Sequence, residues 1–244
     1  MLLLWIVGCS IAGSIGVVAG AAIMLMFPAG IRRFVIPPLI SYAAGTMLGA
    51  SFLAMLPAAL QHAPARAVNV AVLAGLVLFF VLEKLVIWRH AHRTGPQSAA
   101  PAAPLILIGN ALHNFMDGVI IAAAFLTAVP LGFTTALAVI AHEIPQEVGD
   151  FAILLEGGYG RGKALVLNAL SAAATLPGAI AAYFWLAELR TALPYILALA
   201  AASFIYIATA DLLPGLQRQG TLVASLRQVG LLLAGIGTIA LLHP

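Results

Sequence analysis

Eight runs of apolar residues, each close to the length a helix needs to cross a bilayer, limit what this chain can become. A spanning helix takes roughly 20 mostly apolar residues. The breaks between the runs predict helices near 2–27, 34–60, 66–88, 104–127, 131–156, 164–187, 193–213 and 222–242. Those breaks carry turn chemistry: FPAGIRR, HAPAR, AVPLG, EGGYGRGK and LPGLQRQG each combine Pro or Gly with polar residues. Hydrophobic residues make up 63% of the 244 and charged residues only 8%, too little polar surface to clothe a soluble globule. The chain therefore reads as an all-α integral membrane protein, a single transmembrane domain over 1–244. One stretch, RHAHRTGPQSAAPAAP at 89–104, is too polar and too rich in Pro and Ala to span, and is expected as a linker.

The basic residues orient the spans. With the N-terminus outside, Arg32, Arg33, Lys84, Arg89, Arg93, Arg161, Lys163, Arg218 and Arg227 fall on the cytoplasmic side. Only Arg66 and Arg190 of the 11 Lys and Arg fall opposite. Cytoplasmic connections carry such an excess, so both termini are expected outside and the 89–104 linker inside. The net charge of +3 forms no basic face, which argues against nucleic acid as a partner. The lone Cys9 excludes an internal disulfide. MLLLWIVGCS has the apolar look of a secretion signal, but it lacks a basic leader and its apolar run continues to about Phe27, so a retained first helix is expected. ASFLAMLP, ending at Pro57 in the second span, is echoed by ASFIYIATADLLP, ending at Pro214 in the seventh, which crosses the opposite way. That echo suggests an inverted repeat of helices 1–3 and 6–8 around helices 4 and 5, as in many transporters. Gly13, Gly16 and Gly20 form a small-residue face, read as close helix contact within the chain rather than a dimer seam, although a homodimer is compatible with the sequence.

Chemistry concentrates on the fourth and fifth spans. They hold Asp117, Glu143, Glu147 and Asp150, four of the eight acidic residues, together with His113, Asn114, His142 and Gln146. One uncompensated mid-helix Asp costs about 2.5–3.5 kcal/mol on insertion, so a cluster of this size needs something to offset it. Both motif centres lie a similar distance from the turn near Val129, which predicts similar depth in the membrane. His113 and Asp117 share a helix face, as do His142 and Gln146, and Glu143 and Glu147. Two neighbouring clusters could form along the hairpin, with Asp117 in reach of both. Imidazole, carboxylate and amide oxygen without thiolate suit Zn²⁺, Fe²⁺, Mn²⁺ or Cd²⁺ at modest affinity. Pro145 removes one main-chain hydrogen bond and frees the carbonyl of Ala141 beside the cluster. Glu147 and Asp150 lie toward the cytoplasmic end and fit an exit route or a salt bridge.

HNFMDG at 113–118 and HEIPQEVGDF at 142–151 resemble the signature helices of the ZIP (Zrt-, Irt-like) divalent metal transporters. The resemblance implies eight spans, both termini outside, and a binuclear metal site between the fourth and fifth helices. It implies that His113, Asp117, His142 and Gln146 line the first metal position and Asn114, Asp117, Glu143 and Gln146 the second. His90 and His92 resemble remnants of the family's longer His-rich loop. Two departures stand out: Gln146 occupies a place where many relatives have His, and AMLPA puts Ala54 and Ala58 where the family's second helix often reads HLLPE. Met47, Ser51 and Met55 on that helix read as packing. Asn168 and Ser171 are candidate extra oxygens, and Asp211 reads as a polar gate-end residue.

The function expected is transport of a divalent transition metal, zinc foremost, into the cytoplasm by alternating access. Zn²⁺ is then both the cargo and the occupant of the site, and the bilayer is the other partner. Because protonated ligands release metal, transport should depend on pH. The rival from another class is an intramembrane zinc protease, since HEIPQ looks like HExxH with its last ligand changed. A metal-stabilised membrane scaffold without flux is the third reading. Short loops and no organelle address point to a bacterial inner membrane.

Overall fold

The computed structural model describes residues 1–93, 103–156, 158–188, 190–217 and 221–242, and every element among them is helical. The first span is α1 (Leu2–Met26). The second is continuous from α2 (Ala29–Gly49) through a π-helical segment (Ala50–Met55) into α3 (Leu56–His62). The third, α4 (Ala65–Arg93), and the fourth, α5 (Ala103–Thr127), reach further into the expected linker than predicted. RHAHR contains no helix breaker before Gly95, and Pro104 is tolerated in the first turn of α5 because a helix's first N–H groups are unpaired anyway. The fifth span is α6 (Val129–Glu156). The sixth is split into α7 (Arg161–Ala172) and α8 (Thr175–Glu188). A 3₁₀ turn (Arg190–Ala192) leads to the seventh: α9 (Leu193–Tyr206), a second π segment (Ile207–Leu212) and α10 (Leu213–Gln217). The eighth is α11 (Leu222–Leu242). The side chains of His90, His92 and Asp211 lie outside the described residues.

Seven of these eight are by themselves long and apolar enough to cross a membrane; α6, which carries half of the polar cluster, is the one that is not. The outer helices α1, α4 and α11 turn large apolar side chains outward, among them Ile15, Leu73, Phe80, Leu226 and Leu233. An outward apolar face is what lipid requires.

Two interruptions have a local cause. Each π segment ends just ahead of a proline, Pro57 or Pro214, whose ring cannot fit over the carbonyl one turn earlier, and the helix widens there instead of breaking. The sixth span breaks at Ala173–Ala174 because Pro177 offers no N–H to Ala173, whose carbonyl instead accepts a tighter bond from the Leu176 N–H. The break brings Asn168, Ser171 and Thr175 against α5 and α6.

The helix pairs are arranged in opposed halves. The most extensive contacts are α5 with α8 and α2 with α11; α4 packs on α9 and α1 on α6. Exchanging the first three spans with the last three, and the fourth with the fifth, maps α5–α8 onto α6–α1 and α4–α9 onto α11–α2. This is the pairing an inverted repeat requires, and the two π segments occupy matching places in it. Glycines permit the closest approaches: a Cβ on Gly118 would overlap the Thr175 carbonyl, and one on Gly178 the Phe115 carbonyl. In the small-residue face of α1, a Cβ on Gly13 would meet Ile140 and one on Gly20 would meet Ile144, both on α6, whereas Gly16 has open space. The buried apolar core is dominated by Ala around Met47, Met55, Phe125 and Phe204.

Candidate metal centre

The α5–α6 hairpin turns within one residue at Ala128, and equal arm lengths bring the two motifs to one level. His113 Nε2 and His142 Nε2 are 3.3 Å apart. His113 Nε2 lies 3.3 Å from Glu143 Oε1 and 3.8 Å from Asp117 Oδ2. His142 Nε2 lies 3.4 Å from Asp117 Oδ2 and 3.6 Å from Glu143 Oε1. One donor atom from each of the four thus falls within 4.8 Å of the others. Tetrahedral zinc with bonds of about 2.0–2.1 Å holds its ligand atoms roughly 3.3–3.4 Å apart, and five of the spacings here run from 3.3 to 3.8 Å. Asp117, His142 and Glu143 are buried, while 23% of the His113 side chain is exposed.

Hydrogen bonding decides what these atoms can do. His142 Nδ1 lies 2.9 Å from the Ala138 carbonyl, which can only accept, so Nδ1 carries the proton and Nε2 of the neutral ring presents a lone pair to the group. Asp117 Oδ2 and both carboxylate oxygens of Glu143 are buried without a hydrogen-bond partner. Acceptors facing acceptors in a low-dielectric interior are unfavourable unless a cation gathers them. Phe204 of α9 packs edge-on against His142 with ring centroids 5.6 Å apart.

A second polar layer lies one turn nearer the Asp150 end. Asn110 Nδ2 donates to Glu147 Oε1 at 2.8 Å, and Asn110 Oδ1 accepts from Asn114 Nδ2 and Gln146 Nε2, both at 3.1 Å. Thr175 Oγ1 donates to Asn114 Oδ1 at 3.2 Å, and Asn168 Nδ2 to the Glu147 carbonyl at 3.1 Å. Gln146 is tied to this layer through its amide nitrogen. Asp150 is half-buried one turn further along α6.

Of the residues expected from sequence, His113, Asp117, His142 and Glu143 form the compact group, and Asn114, Gln146 and Glu147 the adjoining layer. Asn168 joins that layer through its amide nitrogen. Ser171 turns its hydroxyl to the Leu107 carbonyl, and Ser51 turns its own to the Met47 and Ala201 carbonyls, so Ser51 serves packing on α9. Asn110 and Thr175 were not anticipated. Asn110 was within reach of the sequence, because Asn110, His113, Asn114 and Asp117 fall on one helical stripe. Thr175 was not, since only the break in the sixth span brings it to α5.

Comparison with known proteins points the same way. A family model described as ZIP Zinc transporter matches residues 89–243. Zinc transporter ZIP13 of Pongo abelii is 31% identical over 261 residues, an alignment covering 97% of this chain and 78% of that protein. Zinc transporter ZIP13 of Homo sapiens is 30% identical over 304 residues, covering 97% of this chain and 80% of that protein. Zinc transporter ZIP4 of Homo sapiens is 40% identical over 133 residues, 52% of this chain and 20% of that longer protein.

Proposed function

This chain belongs to the ZIP family of zinc transporters, multi-pass membrane proteins rather than enzymes, and from that premise we propose that it carries Zn²⁺ into the cytoplasm through the α5–α6 site. The observation that carries the reading is the convergence of His113, Asp117, His142 and Glu143 with their lone pairs turned on one another. In this proposal those four form the first metal position. Asn114 and Gln146 supply amide oxygens to a second, adjoining one, and Glu147 and Asp150 lead away from it. Neutral imidazole and carboxylate bind zinc well, yet without thiolate they release it, as a transported ion requires. The same donors serve Fe²⁺, Mn²⁺ and Cd²⁺, and zinc leads because it is the ion named for the relatives.

Direction follows from charge. Nine of the 11 Lys and Arg lie at the ends of spans that share one side, the side toward which Gln146 and Asp150 lead. Lys84, Lys163 and Arg227 on that side rest over the rings of Phe80, Tyr159 and Phe34, pairings suited to a membrane interface. We place both termini outside and treat residues 1–244 as one transporting domain. The short connections support the inner membrane of a bacterium as its location.

Zinc uptake into proteoliposomes, read by a trapped fluorescent indicator, tests the proposal. Saturable uptake that disappears in His142→Ala supports it. Folded protein that binds zinc without flux overturns it in favour of a scaffold.

A further inference from the structure

Ser10 of α1 is completely buried, yet its hydroxyl has no hydrogen-bond partner. We propose that Ser10 is a positioning residue that holds one buried water against the Glu143 carboxyl group, so that the first span helps to aim that metal ligand. This inference rests on the transport reading above and adds to the metal centre a residue from outside the α5–α6 hairpin.

A hydroxyl inside a helix ordinarily bonds the carbonyl one turn earlier. Ser41, Ser51, Thr127, Thr134 and Thr238 all do so here. Ser10 does not, and a buried hydroxyl without any partner is costly. Ser10 instead lines a small cavity between α1, the α5–α6 hairpin and the break in the sixth span, together with Asn114, Glu143 and Thr175. The space there for the centre of a water molecule is about 10 Å³, which is the least that holds a water and leaves room for one only.

The atoms around the cavity suit that occupant. A cation drawn to the four converging donors accounts for Asp117 Oδ2 and Glu143 Oε1, the carboxylate oxygens that face the two imidazoles. Glu143 Oε2 and Ser10 Oγ remain unpartnered, and both residues line the same cavity. One water joins them, accepting from the Ser10 hydroxyl and donating to Glu143 Oε2. Its second proton meets Asn114 Oδ1, which takes one bond from Thr175 and keeps a lone pair. Three partners are the usual number for a buried water. Because water both gives and accepts, it serves the Glu143 carboxyl group in either protonation state. With Oε2 held toward α1, Oε1 is turned to His113 and His142, 3.3 and 3.6 Å away. Ser14, one turn along α1, is the contrast: its hydroxyl donates to the Ala172 carbonyl at 2.9 Å and so ties α1 to α7 as packing.

Zinc uptake kinetics are measured for wild type, Ser10→Ala, Ser10→Gly and Ser14→Ala, with Co²⁺ binding to the detergent-purified proteins followed by absorbance and stability by thermal unfolding. Ser10→Ala is expected to raise KM and weaken Co²⁺ binding by about tenfold, the low end of the range for supporting partners of metal ligands because a water intervenes. Maximal rate should change little. Ser10→Gly leaves room for a second water in place of the hydroxyl and should recover part of that affinity, although glycine weakens the helix. A packing role alone predicts the opposite order, with glycine worse than alanine. Ser14→Ala should lower the unfolding temperature and leave KM where it is. Ser10→Ala behaving as wild type, Ser10→Gly binding Co²⁺ no better than Ser10→Ala, or an equal KM shift in Ser14→Ala would each overturn the inference. Should a variant not fold, a crystal structure of the wild-type protein that resolves ordered water decides the matter. A water between Ser10 Oγ and Glu143 Oε2 supports the inference, and a dry cavity or a metal ion bound to Ser10 Oγ overturns it. Absence of zinc uptake by wild type would instead sink the transport reading, a result distinct from wild-type flux with an unaltered Ser10→Ala.

Discussion

Toward its turn at Ala128 the α5–α6 hairpin is lined by Ile120, Ile121, Ala122, Phe125, Ala138 and Val139, all buried and apolar. Toward its other end it carries Asn110, His113, Gln146, Glu147 and Asp150, and exposure rises along α6 to Gly149. The two halves share a backbone geometry and differ in what an ion meets. Beyond the apolar half lies a cleft of about 190 Å³ lined by Ala58, His62, Leu126, Thr127, Arg190, Leu193, Pro194 and Leu197. Along α5 the rise from Asp117 to Leu126, nine steps, separates the site from that cleft by roughly 13 Å at 1.5 Å per residue. Along α9, Phe204 packs on His142 while Leu197 lines the cleft. The site is thus sealed by close-packed Ala, Ile and Phe on the turn side and continued by polar groups on the other. Under the alternating access proposed for it the sealed half would part, and small Ala contacts let whole helices slide without leaving large voids.

The largest effect should come from the boundary between the halves. His142→Ala or Asp117→Ala removes one of four converging donors, and zinc uptake in proteoliposomes is expected to fall by more than about 100-fold. Uptake that survives both would mean that the cation travels along another face.

The contrast itself can be read by chemical labelling in a Cys9→Ser protein, which has no other cysteine. A cysteine at Gly149, where a new Cβ meets nothing within 4 Å, should react with a charged thiol reagent at least about tenfold faster than one at the buried Ala138. Mass spectrometry reports both rates. Equal rates would mean that the turn half is not sealed.

Packing of the hairpin on the sixth span supplies a smaller effect with its own control. Gly118→Ala drives a methyl into the Thr175 carbonyl and should destabilise the protein by about 1–3 kcal/mol. Gly16→Ala, with open space at that position, should gain up to about 1 kcal/mol from helix propensity. Thermal unfolding in detergent gives the order of the three proteins.

What could be read from the sequence followed the same division. Apolar runs and their Pro/Gly breaks specify eight spans because lipid permits little else, and the equal distance of the two motifs from Val129 specifies their common depth. His113, Asp117, His142, Glu143, Glu147 and Asp150 could all be named because charge at mid-membrane is costly, but that cost does not say which four converge. The adjoining layer was less legible. Asn110 is uncharged and raises no such alarm, and the position of Thr175 depends on how Pro177 breaks a helix in three dimensions. Gln146 could be named as a site residue, but its partner could not, since periodicity gives a face and not the direction of an amide.

Gln146 also provides the finest test of where the polar half begins. It donates its amide nitrogen to Asn110 Oδ1 at 3.1 Å and leaves one oxygen for the ion. A histidine at this position can do both tasks, one ring N–H to Asn110 and the other nitrogen toward zinc, and neutral imidazole is the stronger zinc ligand of the two. Gln146→His should therefore lower KM for zinc by about three- to tenfold while slowing release, so that maximal rate falls as affinity rises. Its effect on Mn²⁺, which prefers oxygen, should run the other way. Competition between the two metals in one uptake assay measures that divergence directly, and a shift of both in the same direction would place residue 146 outside the ion's coordination sphere.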